Sequence, residues 1–214
     1  MKNIISFVGF KSSGKNTAAD ALIPHGYVPF SFADALKDSV AAIFCWDRQM
    51  LEGITEESRE FRETVDVWWA EKLGIPHFTP RWMMQNFGTN IMRMSFHDDI
   101  WILNVERRID VLAAEALNTN MSVVLTDVRF PNEVSMVKRR NGKVIRIQRG
   151  AEPLWMKTAA RANGGNAMAL AKIKELGIHP SEFAWIGTEF DGLIINDGTV
   201  SELHKAVLKY VDIH

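Results

Sequence analysis

Nine residues near the start of the chain, Gly9-Phe10-Lys11-Ser12-Ser13-Gly14-Lys15-Asn16-Thr17, follow directly on the apolar run Ile4–Val8. A helix-forming stretch from about Asn16 to Ile23 comes next, with Ala18, Ala19, Ala21 and Leu22 as good formers, and Pro24 and Gly26 end it. Strand, tight loop and helix in that order constrain a fold more than any other feature here. The two glycines let the loop wrap closely, so that backbone N–H groups point at a phosphate. The helix N-terminus adds its dipole, and Lys15 supplies a point charge for the β- and γ-phosphates of a nucleotide.

The remaining chain reads as alternating elements. Strands are expected at Tyr27–Phe32, Ser122–Thr126, Lys143–Gln148 and Leu193–Asn196. Helices are expected at Asp34–Phe44, Glu56–Leu73, Arg81–Met94, about Asp99–Leu117, about Asn132–Asn141 and Val200–Tyr210. Strands separated by helices require crossover connections. The expected class is therefore α/β with a P-loop NTPase fold: a parallel sheet covered by helices on both faces. Ligands in such folds bind at the carboxyl ends of the strands, and Gly9, Asp127 and Arg149 each follow one. We expect one domain over residues 1–214, with a helical insert at about 50–118. The polar, basic, glycine-containing stretch at about 149–165 reads as a mobile lid-like loop.

Composition narrows the function classes. With 26 acidic and 25 basic residues the net charge is −1, so nothing global favours nucleic acid or an anionic membrane. No apolar run reaches the roughly 18 residues that span a bilayer. Ile4–Val8 is short and broken by Ser6, so it reads as a buried strand and not as a secretion signal. The expected location is the cytoplasm, and the single cysteine, Cys45, fits a reducing compartment. The six histidines show neither His-x-His nor His-Glu-x-x-His spacing. Neither Asn-Lys-x-Asp nor Asp-x-x-Gly, the marks of a GTPase, is present.

Asp127, at the end of an apolar strand, is the natural carboxylate to hold Mg²⁺ through water or to position an acceptor; a turn cap is the other reading. Phosphoryl transfer also needs cations around developing negative charge. Lys37, Arg59, Arg62, Arg81, Arg93, Arg129, Arg149 and Arg161 are the candidates, and Arg129 stands out because it follows Asp127 by two residues. Trp68 and Trp69 read as core or interface, which leaves a homodimer open.

Three blocks together carry a resemblance. They are Gly9-x4-Gly14-Lys15-Asn16-Thr17 with Ser31-Phe32-Ala33-Asp34-Ala35-Leu36-Lys37, then Arg81-x3-Gln85-x2-Gly88-Thr89 with Trp101, then Asp127-x-Arg129-x3-Glu133. The chain resembles the bacteriophage deoxynucleoside monophosphate kinases from about residue 3 to 210, including Gly142-x-Val144-Ile145 and Asn196-Asp197-Gly198. The resemblance implies ATP-dependent conversion of a deoxynucleoside monophosphate to its diphosphate. It assigns Lys11, Ser13, Gly14, Lys15, Asn16 and Thr17 to the ATP phosphates. Metal contact falls to Thr17, one residue later than usual because Asn16 stands directly after the lysine, and to Asp127. Lys37, Arg59 or its neighbour one turn away, Arg62, with Arg81, Gln85, Gly88, Thr89 and Trp101 would line the monophosphate pocket, and Asp127, Arg129 and Glu133 would complete the acceptor side. Lys15, Asp127, Arg129 and Arg81 are the implied catalytic groups. Rival readings are another P-loop small-molecule kinase, such as a dephospho-coenzyme A kinase, and a non-enzymatic ATP-binding regulator.

Overall fold

The computed structural model describes residues 3–115 and 121–211. They form two compact units, Met1–Ser31 with Ile109–His214, and Phe32–Arg108. Among the described residues no helix is long and apolar enough to cross a membrane.

The first unit is built on five parallel strands: β1 (Ile4–Val8), β2 (Tyr27–Phe30), β3 (Ser122–Leu125), β4 (Lys143–Gln148) and β5 (Gly192–Ile195), in the order β2-β3-β1-β4-β5. β1 and β3 are buried along their whole length, as expected of strands covered on both faces. Pro29 cannot donate to a ladder and sits in β2, an edge strand. β1 leads through α1 (Lys15–Asp20) to one side of the sheet, and β3 leads through α7 (Pro131–Arg139) to the other. Right-handed crossovers running in opposite directions place those helices on opposite faces. α1 packs with the closing helix α11 (Val200–Tyr210), and α7 packs against β1 and β4. The core between sheet, α1 and α11 holds Phe7, Leu22, Val124, Ile145, Ile147, Ile194, Leu203 and Val207. Because β1 and β3 send their chains opposite ways, the crevice outside their carboxyl ends is the switch point of the sheet.

The stretch expected as a loop at 149–165 is a turn followed by α8 (Met156–Asn163). α9 (Ala167–Glu175) and the short α10 (Pro180–Phe183) come after it. α8 buries only Ala159 and Ala162, and it packs on α9. Two alanines leave little periodic signal among polar neighbours.

The second unit contains α2 (Asp34–Phe44), α3 (Glu56–Glu63), α4 (Val67–Leu73), α5 (Pro80–Gln85), a π-helix at Asn86–Phe96 and the first part of α6 (Ile100–Glu115). Phe44, Trp46, Leu51, Phe78, Met83 and Met84 form its core, with Trp69 and Trp82 against it. Trp69 donates its indole N–H to the Phe44 carbonyl at 3.1 Å, whereas Trp68 is exposed.

Two expectations change here, and a third is met only in part. The single helix at Glu56–Leu73 is two, because Asp66 turns its side chain onto the Trp69 N–H at 3.1 Å and starts a new helix. The single α-helix at Arg81–Met94 becomes a π-helix after Gln85, with i to i+5 bonding such as His97 N–H to the Met92 carbonyl at 2.8 Å. An indole donor from Trp101 takes the Gly88 carbonyl at 3.0 Å within that stretch. The helix expected to end at Leu117 is observed to Glu115, and its expected end lies outside the described residues.

Candidate phosphate-binding site

The loop after β1 is shaped by backbone angles that ordinary residues avoid. Gly9 has φ +148°, and a Cβ there would lie 2.3 Å from the Ile147 carbonyl oxygen of β4. Gly14 has φ +97°, and a Cβ there would lie 2.3 Å from Nδ2 of Asn196. The loop is thus pressed against β4 on one side and the end of β5 on the other. Ser13 is buried, and its hydroxyl has no hydrogen-bond partner among the described residues.

Lys15 lies back across the loop it terminates. Its ammonium donates to the Gly9 carbonyl at 2.9 Å and the Phe10 carbonyl at 2.8 Å. Burial pulls its pKa from 10.5 down to about 8; the Arg129 charge lowers it further, while Glu182 and Asp127 push back. A partly buried ammonium whose hydrogen bonds go to neutral carbonyl oxygens is receptive to an anion.

Asp127 follows β3 and Thr126, and its Oδ2 accepts from the Ser31 hydroxyl at 2.5 Å. The Arg129 guanidinium reaches α10, meeting the Glu182 carboxylate and the Ser181 carbonyl, each at 3.3 Å. His179, which caps α10, has its pKa lowered by burial; Glu182 raises it and Arg129 lowers it. Glu133 is almost wholly buried and accepts the Arg129 N–H at 2.6 Å and the Phe130 N–H at 3.1 Å. Its carboxylate therefore stiffens the turn that carries Asp127 and Arg129.

The fold also brings aromatic rings onto the loop. Phe10 meets Trp155 and Trp185 edge-on, with centroids at 5.4 and 5.0 Å. Arg146 of β4 lies 5.2 Å from the centre of the Trp185 ring and is ion-paired with Glu152.

The residues singled out from the sequence divide between the units. Lys11, Ser13, Gly14, Lys15, Asn16, Thr17, Asp127, Arg129 and Glu133 belong to the first, at the carboxyl edge of the sheet. Lys11 and Asn16 are exposed, and Thr17 is half-buried with its carbonyl bound to His204 Nε2 at 2.9 Å. Lys37, Arg59, Arg81, Gln85, Gly88, Thr89 and Trp101 belong to the second. Lys37 is bound to Glu52 at 2.6 Å, and Arg48 pairs with the same carboxylate. Arg81 pairs with Glu63, and Arg59 donates to the Gly53 and Ile54 carbonyls at 3.2 and 2.8 Å. Gln85 ends α5 partly exposed, while Gly88 and Thr89 are buried in the π-helix. Trp101 is buried, its indole N–H spent on Gly88.

Sequence reasoning did not single out Ser31, Asn196, His204, Ser181 or Glu182. Ser31 and Asn196 lie in two of the resemblance blocks, but their partners are remote. Nothing local in Ser181 or Glu182 marks them.

Over 217 residues the chain is 29% identical to an Acanthamoeba polyphaga mimivirus protein named as a candidate deoxynucleotide monophosphate kinase. The match covers 98% of this chain and 96% of that one. Among solved structures it is similar to dephospho-CoA kinase from Campylobacter jejuni, at 14% identity and a TM-score of 0.45, over 99% of this chain and 96% of the other. It is also similar to TT1252 from Thermus thermophilus, at 17% identity and a TM-score of 0.47, over 99% and 97%. No protein-family model matches the chain.

Proposed function

We propose that this chain is a nucleoside monophosphate kinase that moves the γ-phosphoryl group of ATP to a deoxynucleoside monophosphate. The observation that carries the reading is the half-buried Lys15, laid across a glycine-bounded loop with Asp127 and Arg129 felt electrostatically beside it. The full-length similarity to the mimivirus protein supports the acceptor class.

In this reading an oxygen of the acceptor phosphate attacks the γ-phosphorus. The bond from that phosphorus to the β–γ bridging oxygen breaks, and ADP leaves. The protein's task is positioning and charge. Lys15 exchanges the Gly9 and Phe10 carbonyls for β- and γ-phosphate oxygens, with the loop residues Lys11, Ser13, Gly14 and Asn16 around the same chain. Ser31 holds the Asp127 carboxylate in one orientation. The donor set fits Mg²⁺ carried with ATP, since such an ion needs only one or two protein oxygens, here Asp127 and Thr17, beside those of the phosphates. The ion supplies charge neutralisation when bound. Arg129 exchanges Glu182 for a phosphate oxygen. Lys37, Arg59 and Arg81 are assigned to the monophosphate, Gln85 to a base edge, and Trp101 to fixing the π-helix at Gly88. Closure of the segment at 149–165, bringing Arg149 or Arg161 over the phosphates, is assigned to keeping water from the γ-phosphorus.

The test is ADP production from ATP and Mg²⁺ with dTMP, dGMP, dCMP, dAMP, their ribose counterparts and dephospho-coenzyme A. Stimulation by one or more deoxynucleotides is expected, with Arg81→Ala lowering turnover or acceptor affinity. Stimulation by dephospho-coenzyme A alone retires the acceptor assignment, and no stimulation by any acceptor retires the enzyme.

A further inference from the structure

We infer that Asn196, at the end of β5, is a positioning residue that fixes the direction of the Gly14 N–H in the phosphate loop. The inference rests on the nucleotide-binding reading above but adds a residue that this reading does not use.

Asn196 is buried, and its Nδ2 donates to the Ser13 carbonyl at 2.8 Å, although 183 positions separate the two. Its own backbone is pinned, because its N–H donates to the Gln148 carbonyl of β4 at 2.7 Å. The next residue, Asp197, accepts the Gly150 N–H at 2.7 Å, so the loops after β4 and β5 are tied together on either side of the amide. Gly14 lets the amide approach this closely, since a Cβ would stand 2.3 Å from Nδ2. A trans peptide is planar, and its C=O and N–H point in opposite directions. Holding the Ser13 carbonyl toward β5 therefore aims the Gly14 N–H away from β5, to the side of the loop where a phosphate would sit. Without the brace the Ser13–Gly14 peptide is free to rotate, because glycine accepts either orientation. On this view Gly14 is demanded twice, once by its φ of +97° and once by the amide lying on it.

The test uses the whole chain with ADP and Mg²⁺ as probe, titrated calorimetrically from pH 5.5 to 8.5. The variants are N196A, which loses the donor, and N196D. An ionised carboxylate at 196 repels the Ser13 carbonyl, whereas a protonated one donates to it, and burial raises the carboxyl's pKa toward the measured range. Titratable groups on the surrounding elements are Lys11 and Lys15 in the loop, Arg149, Asp197, and Glu202 and His204 of α11. Each variant is therefore read as a ratio to wild type at the same pH. N196D is expected to bind ADP roughly tenfold or more weakly at pH 8.5 and to recover as the pH falls, while N196A stays weak throughout. N196D binding as tightly as wild type at pH 8.5, or a deficit as flat with pH as that of N196A, overturns the inference. In the wild type, NMR is expected to show the Asn196 side-chain amide protected from exchange and the Gly14 amide shifting on ADP addition. Rapid exchange of that side chain overturns the inference without any variant. Failure of the wild type to bind ADP overturns the nucleotide reading itself, and this inference with it, whereas the other adverse outcomes remove the brace alone.

Discussion

Raising the pH tests the electrostatics of Lys15 directly. Its ammonium is buried against two carbonyls, and its pKa in the ligand-free protein is about 8 rather than 10.5. A bound polyphosphate supplies the missing counter-charge and raises that pKa again, so binding takes up protons near pH 8. If the charged form alone binds tightly, about nine in ten molecules are competent at pH 7 and about one in ten at pH 9. Apparent ADP affinity therefore falls roughly tenfold between those values, a change of about 1.4 kcal/mol. The second ionisation of a phosphate lies near pH 6, so the ligand's charge is nearly constant across the window. Calorimetry in two buffers of different ionisation enthalpy measures the uptake, expected at about half a proton per ADP at pH 8. The linkage has a counterpart in stability. In the ligand-free fold the unfolded chain binds the extra proton between about 8 and 10.5, so stability rises with pH across that window. Affinity independent of pH from 7 to 9, with no proton uptake at pH 8, would refute the reasoning.

Three further outcomes are expected. Gly14→Ala forces a side chain into a φ of +97° and against Asn196; it should lower stability by about 1–3 kcal/mol in urea denaturation and weaken ADP binding. Glu133→Ala leaves the Arg129 and Phe130 N–H groups without their carboxylate. A loss of about 1–3 kcal/mol should appear in the same denaturation assay. Trp101→Phe keeps an aromatic ring but removes the donor to Gly88 and leaves the space of the indole's second ring unfilled, so thermal unfolding should register a cost of at least about 1–2 kcal/mol.

Much of the first unit was legible in the sequence because its signals are local. An apolar run that ends in a glycine-bounded loop can be little other than a buried strand meeting a tight turn, and β4 and α11 were read to the residue by their periodicity. The second unit was read less well. The break at Asp66 depends on a side chain choosing a backbone N–H over solvent, and the π-helix carries an indole donor arriving from Trp101. α8 hides its buried face because alanine is weakly hydrophobic and common on exposed faces too.

The sequence by itself determined the class of fold, the phosphate loop with Lys15, and the placing of Asp127 and Arg129 after β3. These follow from residue type and spacing within a few positions of one another. Only the tertiary structure decided what each of those groups meets: Ser31 on Asp127, Glu182 on Arg129, Asn196 on Ser13, and burial enough to bring Lys15 to a pKa of about 8. Such contacts join strand ends far apart along the chain. Burial and charge act through space, so neither is written in any local run of residues.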